Sequence, residues 1–231
     1  MMGRRRMLGF SAAAASIMLA GCGLFGGNEY HYKLTVEVET PEGLRTGYAV
    51  RQVTWSAGKS ITLEADTASM SHKGEAAMVD LPNGQTLFAL MSPDGQETPT
   101  LAFGSARQTL GSDRSIRELA PPLQLEVKYG ESGYPRLVRF RDMKEPKTVE
   151  KVDPVNLAAG FGDGYRLKRI TAQIVDEPVT EKIAGKLPWL DQYRRGRLLS
   201  GQQGGMSLND MQKNGLSAEL GASYFSWGMG K

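Results

Sequence analysis

From Lys33 to Glu39 the chain alternates without a break, placing Leu34, Val36 and Val38 on one side of an extended backbone and Lys33, Thr35, Glu37 and Glu39 on the other. A period of two fits a strand with one face in a core and the other in water, and it cannot form one stripe of a helix. Pro41-Glu42-Gly43 supplies a turn. Tyr48 to Trp55 then reads as the returning strand, with Tyr48, Val50, Gln52 and Thr54 set against Ala49, Arg51, Val53 and Trp55. Apolar groups on both of its faces suit a layered core.

Similar signals recur along the chain. Ala76 to Leu81 and Gln85 to Met91 are apolar runs joined by Pro82-Asn83-Gly84, and Asn and Gly tolerate the positive φ that a tight hairpin turn requires. Leu123 to Tyr129 and Pro135 to Asp142 read as another pair, joined through Gly130-Glu131-Ser132-Gly133. Arg166 to Val175 is a seventh strand, with Leu167, Arg169, Thr171 and Gln173 facing away from Ile170, Ala172 and Ile174. Glycine, at 28 of 231 residues, exceeds its usual share without the strict repeat of collagen, in keeping with many turns.

Helical signals are few. Ser112 caps a turn or two carrying Ile116 and Leu119, Asp153-Pro154 opens a segment of about two turns ending at Gly160, and Pro178 to Lys186 sets Val179 and Ile183 one turn apart. From Gly201 a Gly- and Gln-rich link leads to a short helix capped by Ser207 and an aromatic tail, Tyr224-Phe225-Ser226-Trp227, that docks. The fold class expected is mainly β, an antiparallel β-sandwich or partly closed barrel with two or three short helices, with α+β as the alternative. Residues 30–200 form the β-rich domain and 201–231 the link and docking tail.

The N-terminus has a different character. Arg4, Arg5 and Arg6 precede an uncharged, Ala-rich run from Met7 to Leu19, about 13 residues against the roughly 20 needed to span a bilayer as a helix. Leu19-Ala20-Gly21-Cys22 closes it. Residues 1–22 resemble the type II signal peptides of bacterial lipoproteins, whose lipobox is Leu, two small residues and the Cys that receives the lipid. The resemblance implies removal of residues 1–21 by the signal peptidase that recognises Leu19, Ala20 and Gly21. It also implies a diacylglyceryl group on the Cys22 thiol and an acylated new terminus. Two or three acyl chains anchor stably where one binds only marginally. Residues 22–29 become the lipidated Cys and a Gly-rich tether. Gly23 stands where an Asp often retains such proteins at the inner membrane, so the address implied is the outer membrane, facing the periplasm.

Cys22 is the only cysteine, so the mature domain must hold together by its core alone, with no Cys nucleophile or Cys metal site once the thiol carries lipid. The formal charge of +3 comes from Arg4, Arg5 and Arg6; without them 25 basic residues face 25 acidic ones, which leaves nucleic-acid binding little support. His31 and His72 lack partners at metal-ligand spacing, and no Gly-x-Ser-x-Gly elbow occurs, although a triad dispersed in sequence leaves no local trace. Gly160-Phe161-Gly162-Asp163-Gly164 ends a helix and enters a strand, the reverse of a dinucleotide loop, and reads as a cap plus turn. No cofactor or metal is expected.

Arg194, Arg195 and Arg197, beside Trp189 and Tyr193, could contact lipid headgroups or an anionic partner, with a solvated charged face as the plainer reading. Arg136, Arg139 and Arg141 read as the polar side of one strand. Two functions stay open. The first is a non-enzymatic, lipid-anchored envelope protein that binds a protein, polysaccharide or other envelope component. The second is an envelope hydrolase on the periplasmic side with a dispersed carboxylate or Ser-based site.

Overall fold

The computed structural model describes residues 29–58, 67–92, 124–131, 133–193 and 215–229. The first strand, β1 (Glu29–Thr40), follows the alternation of its sequence. Tyr30, Tyr32, Leu34, Val36, Val38 and Thr40 are buried, and the residues between them are half-buried. Pro41 and Glu42 alone form the turn, since Thr40 pairs with Gly43, whose φ of +110° suits glycine. The Thr40 hydroxyl donates to the Gly43 carbonyl at 2.7 Å and fixes the corner.

The returning strand β2 (Gly43–Gly58) runs antiparallel to β1 along its whole length. Its far half pairs with β3 (Thr67–Glu75), while β9 (Arg166–Val175) pairs with the other edge of β1. With β6 (Gln124–Glu126) and β10 (Ser226–Trp227) the order of the first sheet is β10-β3-β2-β1-β9-β6. A second sheet has the order β4-β5-β7-β8, from β4 (Ala77–Asp80), β5 (Thr86–Ala89), β7 (Leu137–Phe140) and β8 (Val149–Lys151). Every pairing is antiparallel, and neither sheet closes on itself. The fold is a β-sandwich with short helices, as the alternating strands and hairpin turns imply.

Between the sheets, Leu34, Val36, Val38, Ala49, Val53, Ile170 and Ala172 meet Val79, Leu87, Ala89 and Leu137. A second core lies on the other face of the second sheet. There Phe88, Val138, Phe140 and Val149 pack against Ile183, Leu187, Trp189 and Leu190, and against Leu220, Ala222 and Phe225. Strand β5 is thus buried on both faces, which explains why Gln85 to Met91 is a continuous apolar run rather than an alternating one. Phe88, Phe140, Trp189 and Phe225 stack edge-on or tilted, with centroids 5.5 to 6.0 Å apart. The C-terminal segment docks as its aromatic composition suggests, with Phe225 fully buried and the Tyr224 and Phe225 carbonyls accepting from Met91 and Ala76.

Several expectations are corrected. Leu123–Tyr129 and Pro135–Asp142 do not pair. Strand β6 joins β9 in the first sheet, and β7 sits between β5 and β8 in the second. Leu137 feeds one core and Val138 and Phe140 the other, so β7 needs a central position that a partner on one side could not give. The Gly130 and Gly133 turn forms, but as a corner that carries the chain from one sheet to the other. Leu167 does not face away from Ile170, because the register shifts by one at Lys168 and returns Leu167 to the core side, opposite Val38.

The strands β3, β8 and β10 carry no clear alternation and were not expected. The helix after Asp153-Pro154 shrinks to one turn, α1 (Ala158–Phe161). Asp153 instead accepts from the Val155 N–H at 2.9 Å, a side-chain turn that competes with helix, and the cap falls on Gly162 at φ +106° rather than on Gly160. Only Ile183–Lys186 of the Pro178 segment is helical (α2). Thr180 is held extended against β2, its N–H donating to the Val50 carbonyl at 3.2 Å and its hydroxyl accepting from the Val50 N–H at 3.1 Å. The helix expected near Ser112, the Gly201 link and the Ser207 cap lie outside the described residues. A further single-turn helix, α3 (Leu216–Glu219), precedes the docked tail.

Candidate functional site

Leu19, Ala20, Gly21 and Cys22, and Arg194, Arg195 and Arg197, lie outside the described residues. Trp189 is described, and it is not a surface contact. The turn after α2 directs Leu187, Trp189 and Leu190 inward, the indole is 5 % exposed, and its N–H donates to the Met143 carbonyl at 2.9 Å. Tyr193 packs edge-on against it at 5.9 Å and is half-buried. An aromatic beside arginines reads alike as interface or as core, and here the second core sheet claims it.

The remaining motifs behave structurally. His31 donates through Nδ1 to the Glu177 carbonyl at 2.7 Å, since a carbonyl can only accept, and its other nitrogen lies 3.3 Å from Glu29. Among the described residues no group of three or more His, Cys, Asp or Glu could hold a metal ion. The Gly160–Gly164 segment is a cap plus turn, with the Gly162 N–H donating to the Ala158 carbonyl at 2.9 Å. Arg139 donates to the Gly160 carbonyl and to Gln85 at 2.8 Å, and it shares Glu150 with Arg141 at 2.7 and 2.9 Å. The two contacts to Glu150 are ion pairs along the polar side of β7 and β8.

The structure draws attention elsewhere, to the corner between the sheets. Gly130 at φ +89° and Gly133 at φ +78° fold the 127–136 connection so that Tyr129 and Tyr134, on either side of the turn, come together with centroids 5.4 Å apart and rings nearly perpendicular. Tyr129 is 64 % exposed. Beneath the pair lies a cleft of about 500 Å³, floored by Leu137 and Val152 and rimmed by Glu131, Arg136, Lys151 and Asp153. Past Tyr134, Pro135 and Arg136, a smaller cavity of about 120 Å³ continues to Leu90, Met91 and Tyr224.

Burial, and secondarily the neighbouring Tyr129, pushes the Tyr134 phenol up to about 12, so its hydroxyl stays a donor through neutral and mildly alkaline pH. Arg136 is paired with Glu219 at 2.6 Å, and Lys151 meets no ion-pair partner among the described residues. The cleft therefore offers an aromatic, amphipathic wall, an apolar floor and charges of both signs at its rim, the make-up of a site for a small polar ligand. In the sequence Gly130–Gly133 reads only as a turn. The signal that was available is its symmetry, a Tyr placed immediately outside each terminal glycine.

Compared with known proteins, the chain matches no family model, no curated protein sequence and no solved structure.

Proposed function

We propose that this chain is a non-enzymatic, lipid-anchored envelope protein, held through Cys22 at the periplasmic side of the outer membrane, whose β-sandwich binds an envelope component at the Tyr129–Tyr134 cleft. The observation that carries the binding reading is the exposed Tyr129 ring beside a 500 Å³ cleft with Lys151, which has no ion-pair partner among the described residues, at its rim. A soluble domain leaves few large aromatic rings so exposed, and one set in a concave, charged surroundings favours a contact role. The anchor rests on Arg4, Arg5 and Arg6, the apolar run and Leu19-Ala20-Gly21-Cys22. Strand β1 begins at Glu29, seven residues beyond Cys22, so the tether spans at most about 25 Å and the domain works close to the membrane. No helix among the described residues is long and apolar enough to cross a membrane.

A second reading has one observation in its favour: Glu131 and Asp153 line the same cleft, and paired carboxylates are the usual equipment of a glycan hydrolase. Intact mass of the membrane-purified protein should show a chain from residue 22 plus acyl mass, and a photo-crosslinker in place of Tyr129 should capture an envelope component in native membranes. An unmodified Cys22, or no adduct at position 129, would overturn the proposal. Turnover of peptidoglycan, peptide or ester substrates that is lost in Glu131→Gln or Asp153→Asn would replace it with the hydrolase.

A further inference from the structure

We infer that the ligand of this cleft is a linear glycan, seated with one sugar ring against Tyr129 and the chain continuing past Tyr134 toward Tyr224. This rests on the reading of the cleft as a binding site.

The two cavities share Tyr134, Pro135 and Arg136 as a common wall, so they are adjoining compartments rather than separate sites. A tyrosine stands in each, Tyr129 in the larger and Tyr224 in the smaller, and Tyr134 lies between them. A succession of three aromatic rings along adjoining compartments suits a ligand made of repeated ring units. The larger compartment alone falls within the roughly 300 to 1,000 Å³ typical of small-molecule sites, and the smaller one extends it in one direction.

Charge narrows the class. Arg136 is matched by Glu219, and the other charges on the rim, Lys151, Glu131 and Asp153, have no ion-pair partner among the described residues. A nucleic acid or other polyanion needs an excess of positive charge, which this rim lacks. An acyl chain would have to strip water from four charged side chains for no return. A pyranose ring fits better. Its axial C–H face is apolar and carries slight positive charge, matching the negative face of a tyrosine ring. Its equatorial hydroxyls both donate and accept, so a guanidinium, an ammonium, two carboxylates and a phenol that remains protonated can all be satisfied by one neutral, polyhydroxylated ligand.

Full-length protein purified from membranes in detergent would be titrated by calorimetry with the β-1,4-linked tetramer of N-acetylglucosamine, with the monosaccharide, with soluble peptidoglycan fragments and with lipid-free lipopolysaccharide glycan. The expected result is binding of the tetramer, with affinity at least about tenfold above that of the monosaccharide. Tyr129→Ala should weaken it by about tenfold, Tyr129→Phe should not, and both variants should melt like the parent. The peptidoglycan and lipopolysaccharide arms separate the two natural sources of such a chain. Failure of every glycan to bind, or an affinity indifferent to Tyr129→Ala, overturns the glycan assignment. If the crosslinker at position 129 then captures a protein, the cleft remains a binding site and only its ligand class is wrong. If it captures nothing, the binding reading falls too.

Discussion

The guanidinium of Arg51 donates through Nε to the main-chain carbonyl of Glu75 at 2.9 Å, and each side chain is only 1 % exposed. Its Nη2 donates to the Ala89 carbonyl at 3.2 Å, while the Glu75 carboxylate accepts from the Lys182 and Ile183 N–H groups at 2.8 Å each. Two buried charges thus tie β2, β3 and β5 to the first turn of α2, whose leading N–H groups have no partner within the helix. Satisfied, such a network fixes how the sheets and the helix meet; half-removed, it leaves buried main-chain carbonyl or N–H groups without a partner.

Arg51→Met should therefore destabilise the domain by about 3 to 5 kcal/mol, as loss of one member of a buried charged network does. Glu75→Gln should cost less than Glu75→Ala, because an amide oxygen can still accept from both N–H groups. Urea midpoints of the single variants and of Arg51→Met/Glu75→Gln check this. A double variant whose loss equals the sum of the singles would mean that the two side chains are not coupled.

Gly47 marks where β2 passes closest to the second sheet. A Cβ there would lie 1.7 Å from the Met78 carbonyl oxygen, a backbone atom that cannot move without parting the sheets. Gly47→Ala should cost about 3 kcal/mol or more, at or above the usual range for overpacking. Gly43→Ala, at positive φ but with open space around it, should cost only about 1 to 2 kcal/mol of backbone strain. Denaturation of the two variants side by side tests the ranking, which reverses if β4 can slide away from β2.

The two faces of β1 give a sharper contrast. Val36 is fully buried between the sheets, and Val36→Asp should leave the domain largely unfolded, since an unpaired buried charge costs several kcal/mol against a total stability of roughly 5 to 15. Glu37 points outward to Arg169 across the β1–β9 ladder. Glu37→Lys sets two cations together on the outer face, where the Glu37 side chain is 14 % exposed, and should cost about 1 to 2 kcal/mol, reduced by salt. Equal damage from both substitutions would show that the outer face is covered.

How far the sequence reveals this fold depends on how much each strand states by itself. The alternation of β1 and the Pro82-Asn83-Gly84 hairpin were legible because pattern and turn chemistry are local. Thr67–Glu75 was not, because its Ser, His and Lys carry no period, and it is held by backbone pairing to β2. The partners of β6 and β7 were not legible either, since pairing across two sheets depends on which residues can be buried on both sides. Arg51 sits in the sequence on the face shared with Ala49 and Val53, and that pattern already places it inward; a lone Arg on a core face is a signal for a buried network. The same logic explains Trp189, where the Leu187 and Leu190 beside it mattered more than the arginines that follow. The cleft is not legible in the sequence because Tyr129 and Tyr134 lie outside the strands that form and meet only when the corner folds.

The last expectation concerns Tyr134 as the wall between the two compartments. An ordinary tyrosine ionises near pH 10, and burial, with Tyr129 beside it, raises Tyr134 to about 12. The raised value means that the folded state holds the neutral phenol while the unfolded chain can ionise it. Its contribution to stability is therefore whole below pH about 10 and is lost as the pH rises from about 10 toward 12. Tyr134→Phe, which cannot ionise, should lose less stability than the parent across that interval, and its tyrosinate absorbance should lack one group titrating near pH 12. A saturating glycan should shift that group further upward, because a sugar ring over the cleft removes more water from the phenol and accepts its proton in a hydrogen bond. If the group missing from Tyr134→Phe titrates near pH 10 rather than near 12, the phenol lies in open solvent and the wall on which the two-compartment cleft depends is lost.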